Sequence, residues 1–207
     1  MDHYYIGLDI HKKIIAYCIK KMDGEIIDQG TVQATRKALQ KWIDSLPRPW
    51  SGAMEATMFT AWVYDFLKPH ATELKVANPL MLKAISASKK KNDRIDAGKI
   101  ADLLRCNLLP ECYMAPVEVR ELRRIMRYRN FIVREATRMK NSISGMLMEV
   151  GAEYAKDKLH QKKYFAALLE NIEEVPSSVL GMLRLSRANL DLFHSLQAKL
   201  IQGLRRN

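Results

Sequence analysis

Four carboxylates in this sequence stand where carboxylates are costly. Asp9 lies inside the apolar run Tyr4-Tyr5-Ile6-Gly7-Leu8-Asp9-Ile10, and Glu55 follows Gly52-Ala53-Met54 in a second short run. A carboxylate beside buried residues is expensive unless it is paired, hydrogen-bonded or metal-bound. Asp93 and Asp96 are three residues apart, which on a helix puts both on one face, where like charges repel unless a cation compensates. If the two apolar runs are neighbouring strands, Asp9 and Glu55 emerge at the same sheet edge, and a helix carrying Asp93 and Asp96 can pack across them. Four oxygen donors converging in this way suit magnesium or manganese. Two such ions about 4 Å apart would stabilise the attacking and leaving oxygens of a phosphodiester.

Each residue alone has a plainer reading. Asp93 is equally a helix N-cap and Asp96 a partner for the helix dipole. Asp102, six residues further on, reads as solvated or paired with Arg105. His11 and Lys12 follow Asp9 closely. His11 could move protons or touch a phosphate, and an exposed turn histidine is the plainer account. Thr57 either orients Glu55 or caps a helix. Order makes the set specific: an Asp on the first strand, a Glu on a later one, then the Asp-x-x-Asp pair.

The elements that must position these acids read as α/β in the first third. Tyr4–Ile10, Lys13–Lys21 and Glu25–Val32 form a meander with its turn at Asp23-Gly24. Thr35 caps a helix reaching Leu46, with Leu39, Trp42, Ile43 and Leu46 on one face. A strand over Ser51–Ala56, a helix over Phe59–Leu67 and a strand over Thr72–Ala77 follow. Asn78-Pro79 opens a helix to about Ala87. Ser88–Asn92 is a basic hinge, and a helix runs from Asp93 to Cys106. The pattern predicts a mixed sheet of the ribonuclease-H type in residues 1–112.

Residues 113–207 are expected to be all helical. Positions 122, 125, 129, 132, 136, 139, 143, 146 and 150 form a heptad seam broken once, at Arg129. A helix over Val117–Val150 would be about 50 Å long. Gly151 interrupts it, Lys158–Ile172 is helical, and Pro176 starts a last amphipathic helix with Leu183, Leu190, Phe193, Leu200 and Leu204. The seam is compatible with association between copies and equally with packing within the chain.

Charge points to a polyanion. The chain carries 34 Lys and Arg against 23 Asp and Glu, a formal net of +11. Residues 81–145 hold 15 basic and 7 acidic side chains. Lys12, Lys89, Lys90, Lys91, Arg94, Arg123, Arg124, Arg127, Arg134 and Arg138 are the candidate phosphate contacts. Tyr113, Tyr128 and Phe131 are candidates for base stacking, with packing the favoured role for Phe131. No apolar run is long enough for a transmembrane helix, and the N-terminus lacks the order of a signal peptide. Three cysteines without zinc-type spacing suit a reduced, cytoplasmic protein with structural thiols.

Through the segments IGLDIHKK, MEAT, KKNDRIDAGKIADLLR and LLPECYMAP, the chain resembles the DEDD-type transposases of bacterial insertion sequences, in the family numbered one-hundred-and-ten. The resemblance covers roughly residues 4–150. It implies a RuvC-like N-terminal domain whose metal acids fall on Asp9, Glu55, Asp93 and Asp96. It also implies two magnesium or manganese ions, DNA as substrate, a structured guide RNA, a nucleoid-associated location and a homo-oligomer formed through the helical region. Family members are similar in a further C-terminal domain that supplies a nucleophilic serine; that domain is not expected within these residues, and none of them is assigned the serine role. Two other readings share the same residues: a RuvC-like endonuclease using metal-activated water, and a non-catalytic nucleic-acid-binding or regulatory fragment. An actin-like or sugar-kinase fold ranks low, because Ile10-His11-Lys12-Lys13 lacks the small residues a nucleotide phosphate needs.

Overall fold

The computed structural model describes residues 3–85, 93–173 and 175–204; the side chains at 85, 93, 94 and 204 are outside that description. The chain divides into two compact units, residues 1–114 and 115–207.

The first unit is built on five strands: β1 (Tyr4–Ile10), β2 (Ile14–Lys20), β3 (Ile26–Gln33), β4 (Trp50–Glu55) and β5 (Glu73–Ala77). Their order in the sheet is β3-β2-β1-β4-β5. The β1–β2 and β2–β3 pairs are antiparallel, whereas β1–β4 and β4–β5 are parallel. The β2–β3 turn uses Gly24 at a positive φ of 95°, and the Asp23 carboxylate accepts the Glu25 N–H at 2.9 Å. The left-handed backbone is accessible to glycine without a Cβ penalty. This mixed sheet, followed by a helical region, is the ribonuclease-H/RuvC-like α/β architecture anticipated from the pattern of apolar runs.

Strand alternation sorts the side chains onto two faces. On one, Ile6, Leu8, Ile10, Ile15, Ile19, Trp50, Met54, Leu74 and Val76 form the main core. They pack against α1 (Arg36–Asp44), through Leu39, Trp42 and Ile43, and against α2 (Thr60–Leu67), through Val63 and Leu67. Thr35 caps α1 by accepting the Ala38 N–H. The other face carries small residues, Gly7, Ala16, Cys18, Ala53 and Ala77, and is covered by α4 (Asp93–Arg105). Between β5 and α4 in the sequence comes α3 (Pro79–Ile85), whose first turn is capped by Asn78 accepting the Leu80 N–H at 3.0 Å. The expected basic hinge, with the last turn of that helix, lies outside the described residues. Helix α4 is closed just beyond its end by Asn107, which takes a left-handed φ of 54°. There the Leu108 N–H bonds the Leu103 carbonyl and the Asn107 N–H that of Leu104, a closed helix terminus.

The second unit holds α5 (Val117–Glu149), α6 (Lys162–Asn171) and α7 (Ser177–Leu204). Ile143, Leu147, Leu159, Phe165, Leu183 and Leu190 form its core. The heptad seam of α5 is used unevenly. Ile132, Ala136 and Ile143 are buried, whereas Leu122 is 53% exposed. Helix α6 starts at Lys162 rather than Lys158, for a definite reason. The buried Arg187 guanidinium donates to the carbonyls of Leu159 and His160 at 2.6 and 2.9 Å. These are carbonyls that a helix beginning at Lys158 would need for its own ladder.

Candidate metal centre and nucleic-acid interface

Strand register brings two of the four acids together. Leu8 pairs with Met54 across the parallel β1–β4 ladder. Asp9 and Glu55 are the next residues along these strands. Because partners in register share a face, both lie on the α4 side of the sheet.

Helix α4 brings the other two positions to the same end. It lies directly over Gly7: a Cβ there would fall 1.9 Å from the Ala97 carbonyl oxygen and 2.5 Å from the Ala101 nitrogen. Its other end is fixed by Asp102, bonded to Lys20, which pairs in register with Tyr5. The helix therefore runs antiparallel to β1. Two residues along the strand, from Gly7 to Asp9, advance about 6.6 Å. Four residues back along the helix, from Ala97 to position 93, retreat about 6 Å. Position 93 thus opens α4 at about the level of Asp9 and Glu55, with position 96 one turn further along the helix. The Asp93 and Arg94 side chains, and Lys89, Lys90 and Lys91 altogether, lie outside the described residues.

The described carboxylates are engaged with neighbours. Asp9 is largely buried, its side chain 14% exposed, and its Oδ2 lies 3.1 Å from His11 Nε2. Lys99 Nζ approaches Asp96 Oδ1 at 3.3 Å. Thr60 holds the backbone at Glu55: its hydroxyl donates to the Glu55 carbonyl at 2.8 Å and accepts the Thr57 N–H at 2.7 Å. Thr57 caps locally, accepting the Phe59 N–H at 3.2 Å. Thr60 has no signal in the sequence beyond its position at the start of a helix. Among the described residues, no three His, Cys, Asp or Glu side chains form a group able to hold a metal ion. The donor chemistry nonetheless fits a hard divalent cation, since Asp9, Glu55 and Asp96 present only carboxylate oxygens.

At the far end of α4 the electrostatics differ. Lys20 is 8% exposed. Its ammonium donates to Asp102 at 2.6 Å, and Arg105 Nε donates to the other Asp102 oxygen at 2.8 Å. Burial on its own would raise the Asp102 pKa; the hydrogen bonds from Lys20 and Arg105 outweigh it and hold the carboxyl below its ordinary value. Burial pushes the neighbouring Cys18 thiol up, which keeps it protonated and unreactive.

A family profile described as a transposase, of the DEDD type found in the insertion-sequence family IS110, matches residues 6–151. The chain belongs to this transposase family. The match spans more than two thirds of the transposase chain and includes all four acidic positions. No curated protein matches the chain.

The second unit presents the basic residues. Arg123, Arg124, Arg127, Arg134 and Arg138 of α5 are all exposed, as is Lys12 in the first unit. Arg124, Arg127, Phe131, Arg134 and Arg138 recur at alternating spacings of three and four, so they share one helix face. Phe131, expected to pack, is instead 53% exposed and stacks on Tyr128 with centroids 6.1 Å apart. The first buried residue of α5 is its neighbour, Ile132. Arg124 and Arg138 are tied to Glu121 and Glu135 at 2.7 and 2.8 Å. Among the described residues, no helix is long and apolar enough to cross a membrane.

Proposed function

We propose that this chain is the metal-binding catalytic portion of an insertion-sequence transposase. In this reading Asp9, Glu55, Asp93 and Asp96 hold divalent magnesium or manganese and act on DNA phosphodiesters. The observation that carries it is the meeting of Asp9 and Glu55 at adjacent strand ends under the first turn of α4. Bound there, the cation would polarise a phosphoryl oxygen and offset charge in the transition state. The protein's own part is to fix the acids. Gly7 admits the helix, Thr60 anchors the Glu55 backbone, and His11 Nε2 stands 3.1 Å from Asp9 Oδ2.

The exposed arginine face of α5, with Phe131 in its midst, supports contact with DNA and with a structured guide RNA. The exposed apolar residues Leu122 and Met126 support a homodimer or tetramer through the helical region. The strand-exchange nucleophile, a serine in the family reading, is assigned to no residue of this chain.

Calorimetric titration with Mn²⁺ of the wild type and Asp9→Ala tests the centre. Binding in the wild type that weakens on the order of a hundredfold in the variant is the expected result, since a ligand itself is lost and even outer-shell changes cost ten- to a hundredfold. Equal affinity in both overturns the assignment.

A further inference from the structure

Two of the four acids enter the site only through the placement of one helix, and that helix is held on the sheet by packing and by one directional network. At Gly7 the contact is backbone to backbone, which sets how closely α4 approaches β1. It does not by itself set rotation or sliding: Ala16, Cys18, Ala53 and Ala97 around it are small, and the larger Ile100 and Leu104 further along the helix pack through apolar contacts that carry no direction. A slide of one residue moves every side chain by about 1.5 Å and turns it by about 100°. That is enough to take an acid out of a coordination sphere whose distances are fixed to about 0.2 Å.

The second anchor is directional. Asp102 offers one oxygen to Lys20 of β2 at 2.6 Å and the other to Arg105 at 2.8 Å. Arg105 also donates to the Met22 carbonyl at 3.2 Å, just beyond the end of β2. It closes over Gly24 as well, where a Cβ would meet its guanidinium nitrogen at 3.0 Å. The network joins the last turns of α4 to the β2–β3 hairpin through charge-assisted bonds of defined geometry. Its ammonium is buried, so any displacement of α4 leaves an uncompensated charge.

We infer that Lys20, Asp102 and Arg105 are positioning residues for the metal centre, setting the axial register of α4 and so the place of Asp93 and Asp96 opposite Asp9 and Glu55. The inference rests on the metal reading above. It assigns a role to three residues that touch neither metal nor substrate. Position 102 lies six residues, about 9 Å of helix, from Asp96.

A double substitution separates register from stability. Lys20→Met with Asp102→Leu replaces the part-buried ion pair, in which Lys20 is the buried partner, by apolar groups, a change that proteins often tolerate without loss of stability. The full chain carrying both changes is compared with the wild type and Asp9→Ala by thermal unfolding and by Mn²⁺ calorimetry. The expected result is a Tm near the wild type with Mn²⁺ affinity lowered on the order of tenfold. Wild-type affinity in the folded double variant, with binding lost in Asp9→Ala, overturns the positioning role and leaves the metal centre standing. Equal binding by the wild type and Asp9→Ala removes the metal centre and the inference together. Should the double variant not fold, Arg105→Gln opens the network at its more accessible arm. Lowered Mn²⁺ affinity at unchanged Tm then supports the inference, and unchanged affinity overturns it.

Discussion

The backbone of Ala97 rests on Gly7: a Cβ at that strand position would fall 1.9 Å from the Ala97 carbonyl oxygen. Nothing at this contact is flexible, so Gly7→Ala must push α4 off the sheet. Forced overpacking costs about 1–3 kcal/mol and sometimes more. Gly7→Ala is expected at or above the upper end, read as a lower urea midpoint. Gly98→Ala is the contrast. Its Cβ would meet only Cys18 Sγ, at 3.9 Å, and exchanging Gly for Ala in a helix gains up to about 1 kcal/mol. Similar midpoints for the two variants would refute the backbone contact.

Thr60 offers a second probe, aimed at the Glu55 strand end. It is 3% exposed and serves both the Glu55 carbonyl and the Thr57 N–H. Thr60→Val keeps the shape and strands both groups. Leaving a buried polar group unsatisfied costs about 1–3 kcal/mol. Urea denaturation should show a loss in that range, whereas Thr60→Ser should recover most of it. A valine variant as stable as the wild type would show that water replaces the hydroxyl.

Acid titration tests the Asp102 network. The folded carboxyl is held below its ordinary value of 3.8. A group depressed on folding contributes stability that is fully present above the unfolded pKa and is lost as pH falls through the folded pKa. The stability gap between the wild type and Asp102→Asn should therefore stay level near neutrality and narrow below about pH 4. Urea denaturation at pH 6 and at successively lower pH measures it. A gap that does not change with pH would mean that the carboxylate's charge contributes nothing.

What could be read from sequence follows the range of the forces involved. Tyr4–Ile10 and Trp50–Glu55 announce themselves through apolar runs, and the Asp23-Gly24 turn through a residue free to take positive φ. Asp9 and Glu55 stand out because Asp9 interrupts such a run and Glu55 ends one, although only the register shows them on one face. Lys20 does not stand out. At the end of a strand it reads as solvated, and its burial depends on Asp102, 82 residues away. Gly7 carried a partial signal, since glycine inside an apolar strand marks a close backbone approach. Helix α6 starts later than its residue pattern suggests, where Arg187, distant in sequence, takes the carbonyls of Leu159 and His160. Phe131 lies off the heptad seam, and the seam residue beside it, Ile132, takes the buried place while the Phe131 ring stays 53% exposed.

The arginine face of α5 makes its prediction through salt. Arg127 and Arg134 flank Phe131 on one exposed face. If both neutralise phosphates, each should release counterions and contribute about 0.9 to the slope of log affinity against log salt on duplex DNA. Arg127→Gln with Arg134→Gln should then reduce that slope by about 1.8. Fluorescence anisotropy across a salt series gives the number. Phe131→Ala should behave differently: it removes a stacking surface and no charge, so it should leave the slope intact. It should cost about 1–3 kcal/mol on single-stranded probes, the range for base–aromatic stacking. An unchanged slope in the double arginine variant would remove this face from the nucleic-acid interface. A slope change in Phe131→Ala would mean that the ring acts by placing the arginines rather than by stacking.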